Sequence, residues 1–522
     1  MIRYADIPAS FNLTSWFLDR NVEEGRGERI ALYCDDGPVT YRELAALTNR
    51  AGNVLLDLGV RPEDRVLLAL SDGPEFVASW YAALKVGAVV AEAYTFLPTK
   101  DYAYYLQYTR ARVVVVDHTT LASVRAAAAA LRFPPALLVV GAHDLRTGET
   151  SFEQATAGAA GELEPAQTTK DDAALWKFTT GSTGAPKAVC HLAHDPLVSF
   201  ESFARDVVGY REDDIVLPVP KLFFGYARDA ATLFPFGVGG AGVVFAERST
   251  PARLFDLIER HRPTIMVQVP TMMSAMLEYE GAHERDLSSL RLCLSSGEAL
   301  PEEVHRRWLD AYGVEVLEGV GSSELYHIYI SNRPGRTRLG SAGEIVPGYE
   351  ALLLDEERHP VEEGETGELW VSGESAGVMY WGDHQKSKRT FSGDRVRTGD
   401  LFVRDADGFY WYRGRADDLL KVGGIWVAPL ELESCLLRHP AVAECAVIGY
   451  EEGGLTLPAA YVVLRGGSAA AGLARELQDF VRSELSPHKY PRAVRFVTEL
   501  PKTASGKIDR RSLARETQEV AV

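Results

Sequence analysis

The chain has 522 residues, 46% of them hydrophobic and 25% charged, with a formal net charge of −18. That length is too great for a single core and implies several domains, and the acidic balance argues against a general nucleic-acid partner. Five scattered cysteines (Cys34, Cys190, Cys293, Cys435, Cys445), with no Cys-x-x-Cys pair, point to neither a disulfide framework nor a zinc site and fit a reducing cytoplasm.

The first six residues include Asp6 and no apolar stretch, so no signal peptide is expected. Residues 65–71 form a short apolar run of buried-strand type. Residues 75–85 follow with helical periodicity through Phe76, Trp80 and Leu84. Residues 112–117 and 136–140 read as strands around an alanine-rich helix at 121–131. Continuous apolar strands alternating with helices predict a parallel sheet covered on both faces. Residues 158–172 are poor in large apolar side chains and read as a surface linker.

That linker leads into 178–187, Phe-Thr-Thr-Gly-Ser-Thr-Gly-Ala-Pro-Lys. The hydroxyls of Thr179, Thr180, Ser182 and Thr183, the freely turning Gly181 and Gly184, and the cation of Lys187 have the makings of an anion cradle. It is not a Walker A loop, in which the lysine follows the second glycine directly. By composition alone, a surface Ser/Thr/Gly linker reads equally well.

The α/β pattern then resumes, with strands at 215–219, 242–246, 264–269, 290–294 and 314–317 and helices at 251–261, 271–279 and 301–311. The longest uncharged run, 230–246, is too short to span a bilayer and is broken by Pro235, so no membrane helix is expected. From about residue 340, short alternating runs at 349–355, 367–372, 401–404 and 408–413 predict a small antiparallel sheet or barrel. Two acids, Asp417 and Asp418, precede a compact mixed region that ends in a second Thr/Ser/Gly/Lys cluster at 501–507. That region has helices at 429–437 and 473–485 and strands at 443–449, 458–464 and 493–497. The fold class is thus α/β. An N-terminal domain, 1–416, holds two layered α/β subdomains and a β-barrel-like subdomain; an α+β C-terminal domain, 417–522, reads as a mobile lid.

Further motifs follow the loop in order: Ser295-Ser-Gly-Glu-Ala299, Gly319-Val-Gly-Ser-Ser-Glu324, Arg397-Thr-Gly-Asp400, Gly414-Arg-Ala-Asp-Asp418 with Lys421 and Gly424, and Pro501 to Lys507. The series resembles the adenylate-forming superfamily of acyl- and aryl-CoA synthetases over essentially the whole chain. Within it, Lys221-Leu-Phe-Phe-Gly-Tyr226 and Ser331-Asn-Arg-Pro-Gly335 look most like benzoate-CoA ligases. The resemblance implies ATP, Mg²⁺ and CoA. Activation of a carboxylate by AMP transfer brings two anions together, which calls for backbone donors, cations and a metal rather than a strong base.

By the same resemblance, residues 179–184 and Lys187 hold the β- and γ-phosphates, and Glu324 with Thr183 binds Mg²⁺. Gly297, Glu298 and Ala299 flank the adenine, with Ser323 nearby. Asp400 and Arg415 take the ribose, and Lys507 bridges the carboxylate and the α-phosphate. Asp417 is the hinge. After its rotation Lys421 and Gly424 face the adenylate, with Gly424 at the thiol channel.

Each residue also has a plainer reading. Asp417 and Asp418 make an ordinary solvated turn, Glu324 a helix N-terminal acid, and His327 either a substrate contact or a core histidine. His191 and His194 read as structural. Ala188 stands where the family usually has glycine.

The acyl pocket implied by the resemblance comprises Phe224, Gly225, Tyr226, Val320, Gly321, His327 and Ile328: apolar, flat, and without a charge for an amino-acid ammonium. One methyl fewer at Gly225 than in related ligases is expected to leave room beside the ring. That would favour an ortho-substituted acid such as anthranilate, 3-hydroxyanthranilate or salicylate, held by His327 or Tyr226. Free CoA is the expected acceptor and an acyl carrier protein the alternative, in a monomer or homodimer of the cytoplasm.

Overall fold

The computed structural model describes residues 4–141, 144–179, 185–422, 425–452, 455–466, 469–470, 472–485, 489–502 and 508–520. An eight-stranded sheet runs Met379–Tyr380, Lys187–Leu192, Ala173–Thr179, Val89–Glu92, Arg65–Ala69, Val113–Asp117, Ala136–Val140, Glu149–Ser151. From Ala173–Thr179 onward the strands are parallel, and Lys187–Leu192 runs antiparallel to both its neighbours. The valine run explains the two-sided cover. Val113 and Val115 share a core with Phe76 and Val77 of the helix Pro74–Lys85. Val114 and Val116 face Tyr102 and Tyr105 of Thr99–Thr109 and Val124 of Leu121–Ala129. Alternate side chains of one strand therefore feed two cores.

A nine-stranded sheet forms the second layer, in the order Glu344–Ile345, Ile328–Ser331, Val316–Gly321, Leu292–Ser295, Ile265–Gln268, Ile215–Pro218, Ala241–Val243, Ile30–Cys34, Gly37–Thr40. Ile265, Val267, Leu292 and Leu294 share a core with Val66 and Leu68 of the first sheet, so the two layers close on one interior. The opposite face packs Met266, Cys293 and Val316 under Leu254 and Ile258 of Pro251–His261 and Trp308 of Glu302–Tyr312.

The subdomains are not continuous in sequence. Ile30–Cys34 lies beside Ala241–Val243, with Leu32 opposite Gly242. The helix that follows, Tyr41–Asp57, starts with a capping box: the Glu43 N–H donates to Thr40 Oγ1 at 3.2 Å and the Thr40 N–H donates to Glu43 Oε2 at 2.8 Å. Thr40→Ala is expected to cost about 1 kcal/mol, read as a lower thermal midpoint with unchanged KM values.

Beyond residue 340, Tyr349–Leu354, Thr366–Gly373, Arg395–Arg404, Phe391–Ser392 and Tyr410–Arg415 form an antiparallel sheet. Val442–Glu452, Leu455–Leu464 and Ala493–Phe496 form a three-stranded sheet, with Leu432, Leu436, Leu477 and Val481 from the helices Pro429–Leu436 and Leu473–Glu484 in its core. No helix among the described residues is long and apolar enough to cross a membrane.

Candidate active site

The site begins at a hairpin. Strands Ala173–Thr179 and Lys187–Leu192 pair antiparallel, with Thr179 opposite Lys187. The predicted cradle residues between them, Thr180, Gly181, Ser182, Thr183 and Gly184, lie outside the described residues, as do Gly424, Lys507 and the side chain of Lys421. Ala188 is wholly buried beside Trp176 and Cys190, so its methyl is absorbed by the core.

Lys187 does not stand alone. Its Nζ lies 3.1 Å from Asp383 Oδ2 and 5.9 Å from the centre of the Tyr380 ring. The Lys386 backbone N–H, and then Lys187, hold the Asp383 carboxyl below its usual range. The Tyr380 hydroxyl donates to Glu324 Oε1 at 2.6 Å. Burial, with the Glu324 charge added, keeps this phenol neutral by pushing its pKa up. One tyrosine thus joins the lysine of the loop to the acid predicted to take the metal. Glu324 is not a helix N-terminal acid; it sits in the turn between Val316–Gly321 and Ile328–Ser331.

That turn is tied to the hairpin from below. The His191 ring lies 2.5 Å from Asp195 Oδ2 through Nδ1, and its Nε2 is 2.6 Å from the Ser323 carbonyl, which obliges Nε2 to carry the proton. His191 and His194 are both buried, as a structural role requires.

Asp400 and Arg415 face each other across Arg395–Arg404 and Tyr410–Arg415, with Arg415 Nη1 3.2 Å from Asp400 Oδ1 and 2.9 Å from the Thr398 carbonyl. A Cβ at Gly399, which has φ +74°, would meet Arg415 Nη2 at 2.9 Å, so glycine is needed for this close approach. Burial first, then the charges of Asp400 and Glu324, push the Tyr329 phenol up; its buried hydroxyl has no hydrogen-bond partner among the described residues. Gly297 is exposed at φ +93°, with Glu298 and Ala299 half-buried after it. Leu300 N–H anchors this stretch by donating to the buried Glu318 at 2.9 Å. Asp417 is exposed in the short turn Ala416–Asp418, 3.7 Å from Arg415 Nη2.

The structure brings several of the acyl residues together and corrects one expectation. Gly321 pairs with Ile328 and Val320 with Ile330. Phe224 has its ring centre 5.0 Å from that of Tyr94. His327 is buried between Phe234 at 4.7 Å and Tyr226 at 5.5 Å, ring centre to ring centre. Its Nε2 lies 3.3 Å from the Tyr226 carbonyl, and its buried Nδ1 has no partner among the described residues. Burial lowers this imidazole to about 3, so it is neutral. The Tyr226 hydroxyl is also enclosed without a partner among the described residues.

The expected room at Gly225 does not exist. A Cβ there would meet Lys177 Cε at 2.5 Å and Nζ at 2.9 Å: the volume vacated by the missing methyl is occupied by a lysine. Lys177, from the strand entering the loop, donates to Asp229 Oδ2 at 2.7 Å and to the Tyr326 carbonyl at 2.6 Å. Asp229 also accepts from Arg228 Nη2 at 2.8 Å, and Arg228 pairs on with Glu92, which accepts from Trp80 Nε1 at 2.8 Å. Sequence reading missed this chain. Its one signal was a lysine inside the apolar run Ala173–Thr179. Tyr380 carried no signal.

The residues suit the groups implied. Among the described residues no cluster of three or more His, Cys, Asp or Glu side chains could hold a metal alone. Glu324, with one oxygen held by Tyr380, offers a hard oxygen ligand of the kind Mg²⁺ shares with phosphates.

Comparison with known proteins agrees. Residues 18–381 match the family of AMP-binding enzymes, and residues 431–507 match the AMP-binding enzyme C-terminal domain. A benzoate–CoA ligase of Thauera aromatica is 41% identical over 97% of this chain and 96% of its own. The crystal structure of the anthranilate CoA ligase AuaEII, in complex with anthranoyl-AMP, superposes with a TM-score of 0.95 at 38% identity, covering 100% of this chain and 99% of that one. A benzoate CoA ligase of Burkholderia xenovorans LB400 gives a TM-score of 0.90 at 38% identity, covering 96% and 99%. With its family model spanning more than half its length, the chain belongs to the AMP-binding enzymes, the adenylate-forming ligases whose motifs it carries in order.

Proposed function

We infer that the chain activates a benzoate-type carboxylic acid with ATP and passes the acyl group to CoA, as an AMP-forming acid–thiol ligase of the cytoplasm. The observation that supports this reading is that Lys187 and Glu324 both approach Tyr380, the lysine 5.9 Å from its ring centre and the acid accepting from its hydroxyl, as a phosphate-binding cation and a metal-binding acid would.

In the first half-reaction the acid's carboxylate oxygen attacks the α-phosphorus and pyrophosphate leaves. Lys187, with Thr179 to Gly184, holds the β- and γ-phosphates, and Lys507 neutralises charge between carboxylate and α-phosphate. Glu324 and Thr183 would hold Mg²⁺, which would supply positive charge against the leaving phosphates. Asp400 and Arg415 orient the ribose, and Gly297 to Ala299 border the adenine, with Ser323 close by. In the second half-reaction the domain beyond Asp417 turns, Lys421 and Gly424 face the adenylate, and the CoA thiol displaces AMP. Oligomeric state does not enter this scheme.

The acyl side favours an aryl acid over an amino acid. An ammonium needs a carboxylate, and Asp229 is already taken by Lys177 and Arg228. Tyr94, Phe224, Tyr226 and His327 supply ring surfaces for an aromatic guest. Ortho-amino and ortho-hydroxy benzoates fall within the proposed class.

Pyrophosphate exchange should be measured with benzoate, its hydroxy and amino derivatives, aliphatic acids and amino acids. AMP release should then be followed by mass spectrometry with CoA and with a carrier protein. Exchange is expected with aryl acids and release with CoA; exchange confined to amino or aliphatic acids would overturn the reading.

A further inference from the structure

Lys177 stands in an unusual place for an ammonium. Its side chain is 6% exposed, and its tail lies against Gly225, a residue of the proposed acyl lining. A lysine is almost never buried without a partner, and here the partners are only partly sufficient. An ammonium has three N–H donors and no acceptor. Two are spent on Asp229 and the Tyr326 carbonyl. The third has no oxygen acceptor among the described residues, and Nζ lies 3.5 Å from the centre of the Tyr326 ring. The two acceptors come from elements bordering the pocket: Asp229 follows Gly225 and Tyr226 in the helical stretch Gly225–Leu233, and Tyr326 precedes His327. His327 adds an enclosed Nδ1 without a partner among the described residues.

We propose that Lys177 is a specificity-determining residue of the acyl pocket. Lying where a side chain at Gly225 would stand, it donates its third N–H to an oxygen substituent on the acid's ring, so that hydroxyl-bearing aryl acids are selected over unsubstituted and amino-bearing ones. The inference rests on the reading of the chain as an aryl acid ligase. A phenolic oxygen accepts from the ammonium. An aryl amine is chiefly a donor and meets the ammonium donor to donor. Benzoate leaves the N–H with only the Tyr326 ring. Gly225 is then glycine because of Lys177 rather than because of the substrate's bulk.

Protonation supplies a second handle. Burial lowers the Lys177 ammonium to about 8, against the pull of Asp229. A neutral amine has two N–H groups, both already committed, so the spare donor exists only in the charged form. The groups facing it are Asp229 and Arg228 from its own ion chain, Glu92 beyond Arg228, and Tyr326 and His327 from the turn after Gly321. The Lys177→Met background controls for all of them.

The test compares kcat/KM in pyrophosphate exchange for 2-, 3- and 4-hydroxybenzoate, 2-aminobenzoate and benzoate in the wild type, Lys177→Met and Gly225→Ala. In the wild type the best hydroxybenzoate is expected to exceed benzoate roughly 10–100-fold, the range for a charge-assisted hydrogen bond made or missed. That ratio should fall above about pH 8. In Lys177→Met the ratio should collapse towards unity and become independent of pH. Gly225→Ala, whose new methyl displaces the lysine tail, should move it the same way. Thermal midpoints of both variants separate a loss of folding from a loss of choice, since unfolding lowers all substrates together and leaves the ratio intact. A wild type that prefers benzoate or 2-aminobenzoate, or a ratio unmoved in both variants, overturns the proposal. A wild type inert towards every aryl acid overturns the functional reading beneath it.

Discussion

Replacing Glu324 by glutamine is expected to lower the rate of adenylation by about 10²–10³-fold while leaving the fold unchanged. Glutamine keeps the shape and can still accept from the Tyr380 hydroxyl, which now sits 2.6 Å from Glu324 Oε1. What it lacks is the negative charge that would hold Mg²⁺ against the leaving phosphates. Pyrophosphate exchange across a Mg²⁺ titration measures the effect, and a thermal scan verifies the fold. Tyr380→Phe removes only the hydrogen bond that aims the carboxylate, so its effect should be smaller, about tenfold, and should fall mainly on the Mg²⁺ dependence. If Glu324→Gln turned over at the wild-type rate, the metal role assigned to that residue would be wrong.

The second large effect is on stability. Asp229 has a wholly buried side chain and accepts from Lys177 and Arg228 at once. Burial works against its charge, but Arg228 and Lys177 hold its carboxyl below the usual range. Asp229→Asn would leave two cations with one buried acid, Glu92, between them. Removing one partner of a buried ion pair costs about 3–5 kcal/mol. For a domain of this size the thermal midpoint should drop on the order of 5–10 °C. Lys177→Met should cost less, because Asp229 then keeps Arg228. Differential scanning calorimetry of the two variants distinguishes the cases; equal midpoints would mean that the chain of charges does not stabilise the core.

Much of the layered architecture was legible in the chain. The strand predicted at 136–140 is Ala136–Val140 and the helix predicted at 251–261 is Pro251–His261. Both carry strong local patterns: a continuous apolar run in the first, and Leu254, Leu257 and Ile258 on one face in the second. The stretch Tyr41–Asp57 was passed over although Thr40 and Glu43 announce its start. Strand partners were not legible. That Ile30–Cys34 would lie beside Ala241–Val243 cannot be read from either segment, because any apolar strand edge offers the same backbone donors and acceptors.

The candidate site divides along the same line. Lys187, Glu324, Asp400 and Arg415 were named from ordered motifs, and each motif is a local run of residues whose chemistry is visible in one dimension. The tyrosine joining Lys187 to Glu324 comes from residue 380, far from either in sequence. Reading Gly225 as an empty space failed for a definite reason: a missing methyl says that something comes close, but not what. The neighbour proved to be Lys177, which reaches it from another strand.

By itself the sequence determined the class of protein: its alternating strands and helices, its phosphate-loop composition and its ordered acids and lysines, all set by short-range pattern. Only the tertiary structure decided which charges neutralise one another and which side chain stands against Gly225. Those are contacts between segments tens to hundreds of residues apart, chosen by close packing and the cost of burying an unpaired charge, and spacing along the chain encodes neither.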